Sequence, residues 1–251
     1  GYVVQRDGIE LARVSDGSYT EAGLAQAVEY AYTVAAVDAA GNVGPPSTVS
    51  RYLPDSDAPS VPSSLAGSQA GPRQVTLAWG EATDNIGVGG FRVERNGTPL
   101  ADTTGLAYDD TGVMDGWTYS YVVRAFDAAG NVGAGLSYDI SLPDVTPPSA
   151  PGARAALAGA PIATIGWVAA TDNVGVSGYT ISRDGALLAT LEGSATGYSE
   201  SGLPDGTYTY DVAAFDAAGL IGPALVTTAP VVTVDVVPPS VPAGLTTTSR
   251  S

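Results

Sequence analysis

Carboxylates are the chain's main candidates for chemistry, because its 251 residues contain 26 Asp and Glu but no His and no Cys. The chain therefore lacks the residues of Ser-His-Asp and Cys-His nucleophilic sites and of the usual zinc, haem and iron–sulfur sites. Two carboxylates in one cleft could still serve a glycosidase, and Asp109–Asp110 is the adjacent pair that fits this interpretation. However, Glu21, Asp110 and Glu200 occupy equivalent positions of a sequence repeat. Since a catalytic centre copied into every repeat would be unexpected, we predict that the segment is not an enzyme.

The charge balance excludes further classes of partner. Ten basic residues against 26 acidic ones give a formal net charge of −16, which repels phosphate backbones and anionic lipid surfaces. No apolar run approaches the roughly 18 residues of a membrane span, and no signal-peptide core opens the sequence. We therefore expect neither nucleic acid binding nor membrane insertion.

A long repeat organises the chain and fixes the places where these acids recur. The string VDAAGNVG at Val37–Gly44 returns as FDAAGNVG at Phe126–Gly133 and as FDAAGLIG at Phe215–Gly222, in two steps of 89 residues. A stretch that begins at Ala82, ATDNIGVGGFRVERNG, likewise returns from Ala170 as ATDNVGVSGYTISRDG. Such a period is typical of tandem copies of one structural module.

Proline-rich stretches mark the module boundaries: DAPSVP, TPPSAP and VPPSVP recur along the chain. They predict a truncated module at residues 1–56, complete modules at 57–144 and 145–235, and the start of a further module at 236–251. Gly1 begins inside the third strand of a module, so the first copy lacks two strands. We therefore expect these residues to belong to a longer tandem array.

Each module is predicted to be antiparallel β structure. Bulky and small or polar residues alternate in VTLAW (Val75–Trp79), FRVER (Phe91–Arg95) and YSYVVRAF (Tyr119–Phe126). Asn96–Gly97 and Asp184–Gly185 suit the positive φ angles of two-residue hairpin turns between such runs. Strands at this spacing predict a sandwich of two sheets with one shared core.

The order of these features resembles a known family. Each complete module begins with a proline-rich stretch, which is followed by a strand that ends in Trp. A Leu then comes six residues before a Tyr-x-Tyr-x-Val-x-Ala run, as with Leu24 and Tyr30. This order is similar to the fibronectin type III module of secreted bacterial proteins, as attached to chitinases, cellulases and surface proteins. The resemblance implies an all-β fold of tandem immunoglobulin-like two-sheet sandwiches in an extended array. It also implies a core tryptophan in the second strand and a tyrosine corner, at Trp79, Trp167, Tyr30, Tyr119 and Tyr208.

Two positions depart from the family's pattern. Val113 stands where the other copies have Leu24 and Leu203, and the distance from Leu203 to Tyr208 is one residue shorter than in the first copy. Both changes alter a turn and leave the predicted fold intact.

The resemblance also brings acidic residues to one pole of each module, from the incoming linker, the loop after the Trp strand, and the loop between the last two strands. Converging carboxylates and amides suit calcium, and an ion at a linker would stiffen neighbouring modules. Alternatively, Asp and Asn at this short spacing close turns by hydrogen bonds to the backbone. The third module, which reads DAAGLIG, also lacks the Asn. We assign no cofactor or metal site; the calcium candidates are Asp84, Asp127, Asp144, Asp172 and Asp216, beside Asp55, Asp57, Asn85, Asn131 and Asn173.

The aromatic residues do not predict a sugar-binding platform. Most of them recur at equivalent positions of the repeat, which is typical of core and corner residues. Tyr52, Trp117 and Tyr138 stand alone, and Trp117 follows a turn where we expect it to be exposed.

Three functions remain open for an extracellular, secreted or cell-surface bacterial segment. The first is a non-catalytic spacer, because proline-rich linkers limit backbone freedom and each module would advance the array by roughly 30 Å. The second is a self-associating filament, sheath or adhesin, which the uniform acidity opposes unless a cation bridges the copies. The third is a carbohydrate-binding accessory module. The expected partners are neighbouring modules, other copies in a fibre, or polysaccharide through a separate domain.

Overall fold

The computed structural model describes residues 1–154, 157–159 and 162–232, together with Val237, Ser240, Gly244 and Thr248. All regular secondary structure in these residues is β. None of them forms a helix with the length and hydrophobicity that a membrane crossing requires. The predicted start of a further module at 236–251 lies outside the described residues, apart from the four isolated positions.

The first module contributes one antiparallel sheet of four strands, in the order β2-β1-β3-β4. Its strands are β1 (Tyr2–Arg6), β2 (Ile9–Val14), β3 (Val28–Ala36) and β4 (Ser47–Leu53).

The second module is a complete sandwich of a three-stranded sheet, β5-β6-β9, and a four-stranded sheet, β11-β10-β7-β8. Its strands are β5 (Leu65–Gly71), β6 (Gln74–Trp79), β7 (Val88–Arg95), β8 (Thr98–Thr103), β9 (Ala107–Asp110), β10 (Thr118–Asp127) and β11 (Val132–Ser141).

The third module repeats this arrangement. In its first sheet β14 pairs with β12, β13 and β17, and its second sheet has the order β16-β15-β18-β19. Its strands are β12 (Gly152–Ala153), β13 (Leu157–Gly159), β14 (Ile162–Val168), β15 (Val176–Arg183), β16 (Ala186–Glu192), β17 (Gly197–Ser201), β18 (Gly206–Asp216) and β19 (Leu225–Val231).

The chain divides into two compact units. One unit contains Gly1–Val113 and Thr118–Ser141, and the other contains Met114–Trp117 and Leu142–Ser251. The first unit therefore holds the first module and most of the second.

Alternation along the strands builds each core between two sheets. In β6 the side chains of Val75, Leu77 and Trp79 are buried, and the residues between them are not. Trp79 packs against Phe91 of the facing sheet with 5.7 Å between ring centroids. In the third module, Trp167 packs against a tyrosine in the same way, at 5.3 Å. The predicted all-β fold of two-sheet sandwiches is confirmed.

The hairpin turns also follow the sequence prediction. Asn96 and Gly97 have φ angles of 50° and 77°, and Asp184 and Gly185 have 49° and 83°. The Asn96 carboxamide oxygen also accepts a hydrogen bond from the backbone N–H of Ser120 on β10, at 2.9 Å. The turn is thereby tied to the neighbouring strand.

Candidate functional site

The repeated acid that suggested catalysis lies inside the sandwich and is fully bonded. Asp110 at the end of β9 is 4% exposed. Its carboxylate accepts hydrogen bonds from Arg95 Nη1 at 2.7 Å and from the Tyr121 hydroxyl at 2.7 Å, and Gly112 N donates to it at 2.9 Å. Arg95 and Tyr121 lie on β7 and β10 of the other sheet, so the three residues connect the two sheets. This triad gives the repeated carboxylate a structural role.

The same triad recurs in the other two modules. The Tyr210 hydroxyl donates to Glu200 Oε2 at 2.8 Å, and Arg183 donates to the other carboxylate oxygen. In the first module the members are Arg6, Glu21 and Tyr32. The adjacent Asp109 of the suspected catalytic pair instead accepts a hydrogen bond from the Thr76 hydroxyl.

The triads shift the ionisation of their tyrosines. Burial, followed by the hydrogen bond to Glu200 and its negative charge, raises the pKa of Tyr210 to about 12. Burial and Asp110 raise the pKa of Tyr121 in the same direction. Both hydroxyls therefore remain hydrogen-bond donors at neutral pH.

The acids predicted to gather at one pole of each complete module do lie together. Asp55, Asp84 and Asp127 each place one carboxylate oxygen within 4.8 Å of the others. Asp144, Asp172 and Asp216 form an equivalent cluster in the second unit, which we call the Asp216 cluster. Carboxylates at this separation repel one another, so each cluster favours a positive partner.

Turn closure uses only part of each cluster. Asp172 Oδ2 accepts hydrogen bonds from Val174 N at 2.9 Å and Gly175 N at 2.8 Å, and Asp84 Oδ2 accepts two equivalent bonds. Within the described residues, the Oδ1 atoms of both aspartates are buried without a hydrogen-bond partner. The turn-closing interpretation therefore accounts for one oxygen of each aspartate and leaves the other available.

The two clusters differ at the position where the third module has lost its Asn. Asn131 donates from its amide to Asp127 Oδ2 at 2.7 Å. Burial favours a higher pKa for Asp127, but the hydrogen bonds from Asn131 and from backbone amides outweigh it and hold the pKa below its usual value. In the third module Leu220 replaces this Asn. Asp216 Oδ1 accepts a hydrogen bond from Leu220 N at 2.9 Å, whereas no donor in the described part of the chain reaches Oδ2.

The linker residues are held against the clusters by amide side chains. In the first unit Asn85 donates to Asp55 Oδ1 at 3.2 Å, and Asn131 donates to the Asp55 carbonyl at 3.4 Å. Asp57, the other linker acid that we considered, is outside the cluster and donates its backbone N–H to Asp55 Oδ1 at 3.3 Å.

In the second unit the linker is held by an acid that sequence reasoning missed. Asp115, which is 1% exposed, accepts hydrogen bonds from Val145 N at 2.9 Å and from the Asn173 amide at 3.3 Å. Burial favours a higher pKa for Asp115, but hydrogen bonds from Val145 and Thr146 outweigh it and lower the pKa.

The basic members of the triads were missed as well, although the sequence carried a signal. Arg6, Arg95 and Arg183 recur at equivalent positions of the repeat, in steps of 89 and 88 residues. A repeated base together with a repeated acid indicates a structural ion pair. Asp115 offers a weaker signal, because the first module has Gln26 at its position.

Comparison with known proteins gives partial matches. No family model matches the chain. Exoglucanase B of Cellulomonas fimi is 38% identical over 245 residues, which cover 89% of this chain and 22% of that protein. Chitinase A1 of Niallia circulans is 36% identical over 178 residues, which cover 68% of this chain and 25% of that protein. The chain thus spans about a quarter or less of the length of these curated relatives.

Among solved structures, the FN1–FN3 domains of chicken CNTN1 are 20% identical and cover 79% of this chain and 76% of theirs, with a TM-score of 0.32. The sandwiches of this chain, with their three- and four-stranded sheets, carry the residues on which the family resemblance rests. The chain has the fold of tandem fibronectin type III modules. The regions of the relatives that match this chain lie in enzymes whose names refer to chitin and glucan.

The tyrosine corner of these fibronectin type III modules adapts to the shorter third copy. The Tyr30 hydroxyl donates to the Ala25 carbonyl at 3.0 Å. Tyr208 reaches the Pro204 carbonyl, four residues upstream, at the same 3.0 Å. The hydroxyl therefore meets a backbone carbonyl despite the missing residue. Tyr119 is buried at the equivalent position of β10.

Arginines cover the corner tyrosines of all three modules. The guanidinium carbons of Arg6, Arg95 and Arg183 lie 5.3, 5.5 and 5.4 Å from the ring centroids of Tyr30, Tyr119 and Tyr208. The guanidinium group of each arginine thus binds the triad carboxylate and also stacks over the ring of the corner tyrosine. The triad and the corner form one connected structure in every module.

The three aromatic residues that have no equivalent in the other copies of the repeat have different surroundings. Tyr138 is part-buried and donates its hydroxyl to the Gly67 carbonyl of the facing sheet at 2.9 Å. Trp117 and Tyr52 are 49% and 55% exposed. A cavity of about 830 Å³ lies in the first module. Its lining includes Val4 on β1 and Tyr32 on β3.

Proposed function

We propose that this segment is a non-catalytic spacer within a larger extracellular polysaccharide-degrading enzyme of a bacterium. One observation carries the proposal. Its relatives include an exoglucanase, a chitinase and an alpha-amylase, and it covers 22%, 25% and 6% of those proteins. A module shared by enzymes with different named substrates is not the part that selects the substrate. Polymers of this kind are degraded outside the cell, which supports an extracellular setting.

The internal bonding of the modules supports a non-catalytic role. Glycoside hydrolysis needs two carboxylates in one cleft, one of them available to give a proton to the leaving oxygen. Asp110 is instead buried between Arg95 and Tyr121, and the other two modules bind their acids in the same way. A repeated carboxylate that holds two sheets together is a structural device.

The linkers support the role of spacer. Pro54 precedes the second module, and Pro143 and Pro147–Pro148 precede the first strand of the third. Proline fixes its own φ and restricts the residue before it, so such linkers resist folding back. Each complete module also has its own packed core, which resists compression.

Distances between equivalent positions of successive modules test the spacer directly. Because the chain contains no Cys, Thr98→Cys and Ala186→Cys can be labelled specifically with a fluorophore pair. Both residues are exposed just after hairpin turns that are equivalent in the repeat. A spacer should give one narrow distance distribution, which we expect near 30 Å from the length of a strand of about nine residues. A broad distribution would mean that the linker is a flexible tether, and the spacer proposal would then be wrong.

The exposed Trp117 favours carbohydrate binding as a second candidate, because sugar rings stack on exposed aromatic faces. Depletion of the chain from solution by crystalline cellulose or chitin measures this function. The spacer proposal expects the chain to stay in the supernatant. Depletion that is abolished by Trp117→Ala and retained by Tyr52→Ala would establish the binding module instead. Growth of molar mass with concentration in light scattering would favour the filament.

A further inference from the structure

We propose that Asp144, Asp172 and Asp216 form a calcium site at the pole of the third module. Three carboxylate oxygens, one from each residue, lie within 4.8 Å of one another. In the part of the chain that the structure describes, none of the three aspartates forms an ion pair with an arginine. The inference goes beyond the proposed function, because a spacer needs no ion to separate two domains.

The state of Asp216 distinguishes this site from an ordinary group of surface acids. The side chain is 2% exposed, and its Oδ2 atom has no donor among the described residues. A buried carboxylate oxygen without a partner is costly, and structures normally satisfy such atoms. Asp172 Oδ1 and Asn173 Oδ1 are buried without a partner as well. Two oxygens of the cluster, Asp172 Oδ1 and Asp216 Oδ2, are therefore unsatisfied, and Asn173 adds a third unsatisfied oxygen next to Asp172 in the chain. A cation bound by the cluster would satisfy the two carboxylate oxygens.

The other modules show what satisfies the equivalent oxygen when no cation is needed. Asn42 donates to Asp38 Oδ2 at 2.8 Å, and Asn131 donates to Asp127 Oδ2 at 2.7 Å. The third module has Leu220 at this position, and the leucine side chain contains no hydrogen-bond donor. The missing Asn thus frees the oxygen that a metal ion would take. For this reason we assign the site to the third module rather than to the cluster of Asp55, Asp84 and Asp127.

The chemistry of the donors selects calcium. All the candidate ligands are carboxylate or amide oxygens, which hard cations prefer. Calcium accepts six to eight such ligands at about 2.3–2.6 Å in flexible geometry, so two oxygens on opposite sides of the ion can lie nearly 5 Å apart. Magnesium needs a tighter octahedron at about 2.0–2.1 Å and retains its water more strongly.

A bound ion would join three segments of the second unit. Asp144 belongs to the linker, Asp172 follows β14, and Asp216 ends β18. The Asn173 amide already contacts Asp144 Oδ1 at 3.4 Å and the Asp115 carbonyl at 3.0 Å. Calcium would thus fix the linker to the module that follows it.

Calorimetric titration of the whole chain with CaCl2, after removal of metal with EDTA, tests the site. We expect Asp216→Asn to bind one calcium ion fewer than the unaltered chain. Its side-chain oxygen can still accept the hydrogen bond from Leu220 N. Asp38→Asn is the matched control, because it occupies the same repeat position outside either cluster, and it should leave the titration unchanged. Absence of calcium binding to the unaltered chain, or the same stoichiometry in Asp216→Asn, would overturn the proposal.

Leu220→Asn supplies a second variant that retains all three carboxylates. An amide at this position should satisfy Asp216 Oδ2, as Asn131 satisfies Asp127, and should weaken calcium binding at least tenfold. Unchanged or tighter binding would show that the unsatisfied oxygen is not what creates the site. Magnesium binding of equal strength would overturn the assignment to calcium.

Thermal unfolding in 5 mM CaCl2 and in EDTA gives an independent readout and also reports whether each variant folds. Calcium should raise the melting temperature of the third module in the unaltered chain and in Asp38→Asn, but not in Asp216→Asn. A calcium-dependent rise that persists in Asp216→Asn would place the ion elsewhere and contradict the site.

Discussion

The fate of each acidic residue in these modules depends on whether a donor lies beside it. Asp110 has Arg95 and Tyr121 within hydrogen-bond distance and becomes part of the connection between two sheets. Asp127 has the amide of Asn131, which occupies its second oxygen. Asp216 has neither kind of partner among the described residues, although it occupies the same repeat position as Asp127. One residue type at repeated positions thus performs different tasks, which the neighbouring side chain determines.

Removal of a triad hydroxyl should destabilise one module measurably. Tyr121→Phe leaves Asp110 with only Arg95 and a backbone amide, so a buried charge loses one of its hydrogen bonds. We expect the free energy of unfolding of the second module to fall by about 1–3 kcal/mol. Urea denaturation followed by circular dichroism measures this change. Tyr52→Phe, at an exposed position, should have no effect; equal stability of the two variants would mean that the triad contributes nothing.

The raised pKa of Tyr210 predicts a loss of stability at high pH. An unfolded chain releases the tyrosine proton near pH 10, whereas the folded third module retains it until about pH 12. The stabilisation is therefore complete below pH 10 and is lost as the pH rises from about 10 to 12. Urea midpoints of the third module at pH 9, 10, 11 and 12 should fall less steeply in Tyr210→Phe. If the urea midpoints of the two proteins fell equally with pH, the raised pKa of Tyr210 would be contradicted.

At the scale of elements, the close packing of β15 against β16 and β18 requires glycine at one position. A Cβ atom on Gly178 would lie 2.4 Å from the Leu191 carbonyl oxygen and 2.4 Å from Phe215 Cζ. Gly178→Ala should therefore force β15 away from β16 and β18 and cost about 1–3 kcal/mol. Gly206→Ala is the control in the same module, because the nearest atoms would lie 3.5 Å away. Thermal unfolding should show a lower melting temperature for the first variant only; equal melting temperatures would indicate that β15 moves without cost.

The elements themselves were largely predictable from sequence, and their contacts were not. Alternation in Val75–Trp79 and the Asn96–Gly97 turn are local signals, so strands and hairpins follow from neighbouring residues. The partnership of Arg95 with Asp110 joins residues 15 apart on different sheets, and no local pattern specifies it. The Asp216 cluster needed the family's topology for its prediction, because its three members come from three separate segments.

At the scale of the whole molecule, the strands of the described residues pair within their own modules. Each of the five sheets in the described residues draws its strands from a single copy of the repeat. Cooperative unfolding depends on shared cores and shared sheets, so separate cores imply separate folding units. Independent unfolding would suit a spacer, since local damage to one module would leave the next module intact.

Hydrogen exchange measured by mass spectrometry can detect this independence, because it reports local opening segment by segment. Tyr121→Phe should reduce protection in peptides from residues 65–141 and leave those from 162–231 unchanged. Gly178→Ala should produce the opposite pattern, since its strand β15 pairs with β16 and β18 of the third module. The two variants therefore serve as controls for each other. Loss of protection in both regions from either substitution would show that the modules unfold as one cooperative unit, and the chain would then transmit local damage along its length.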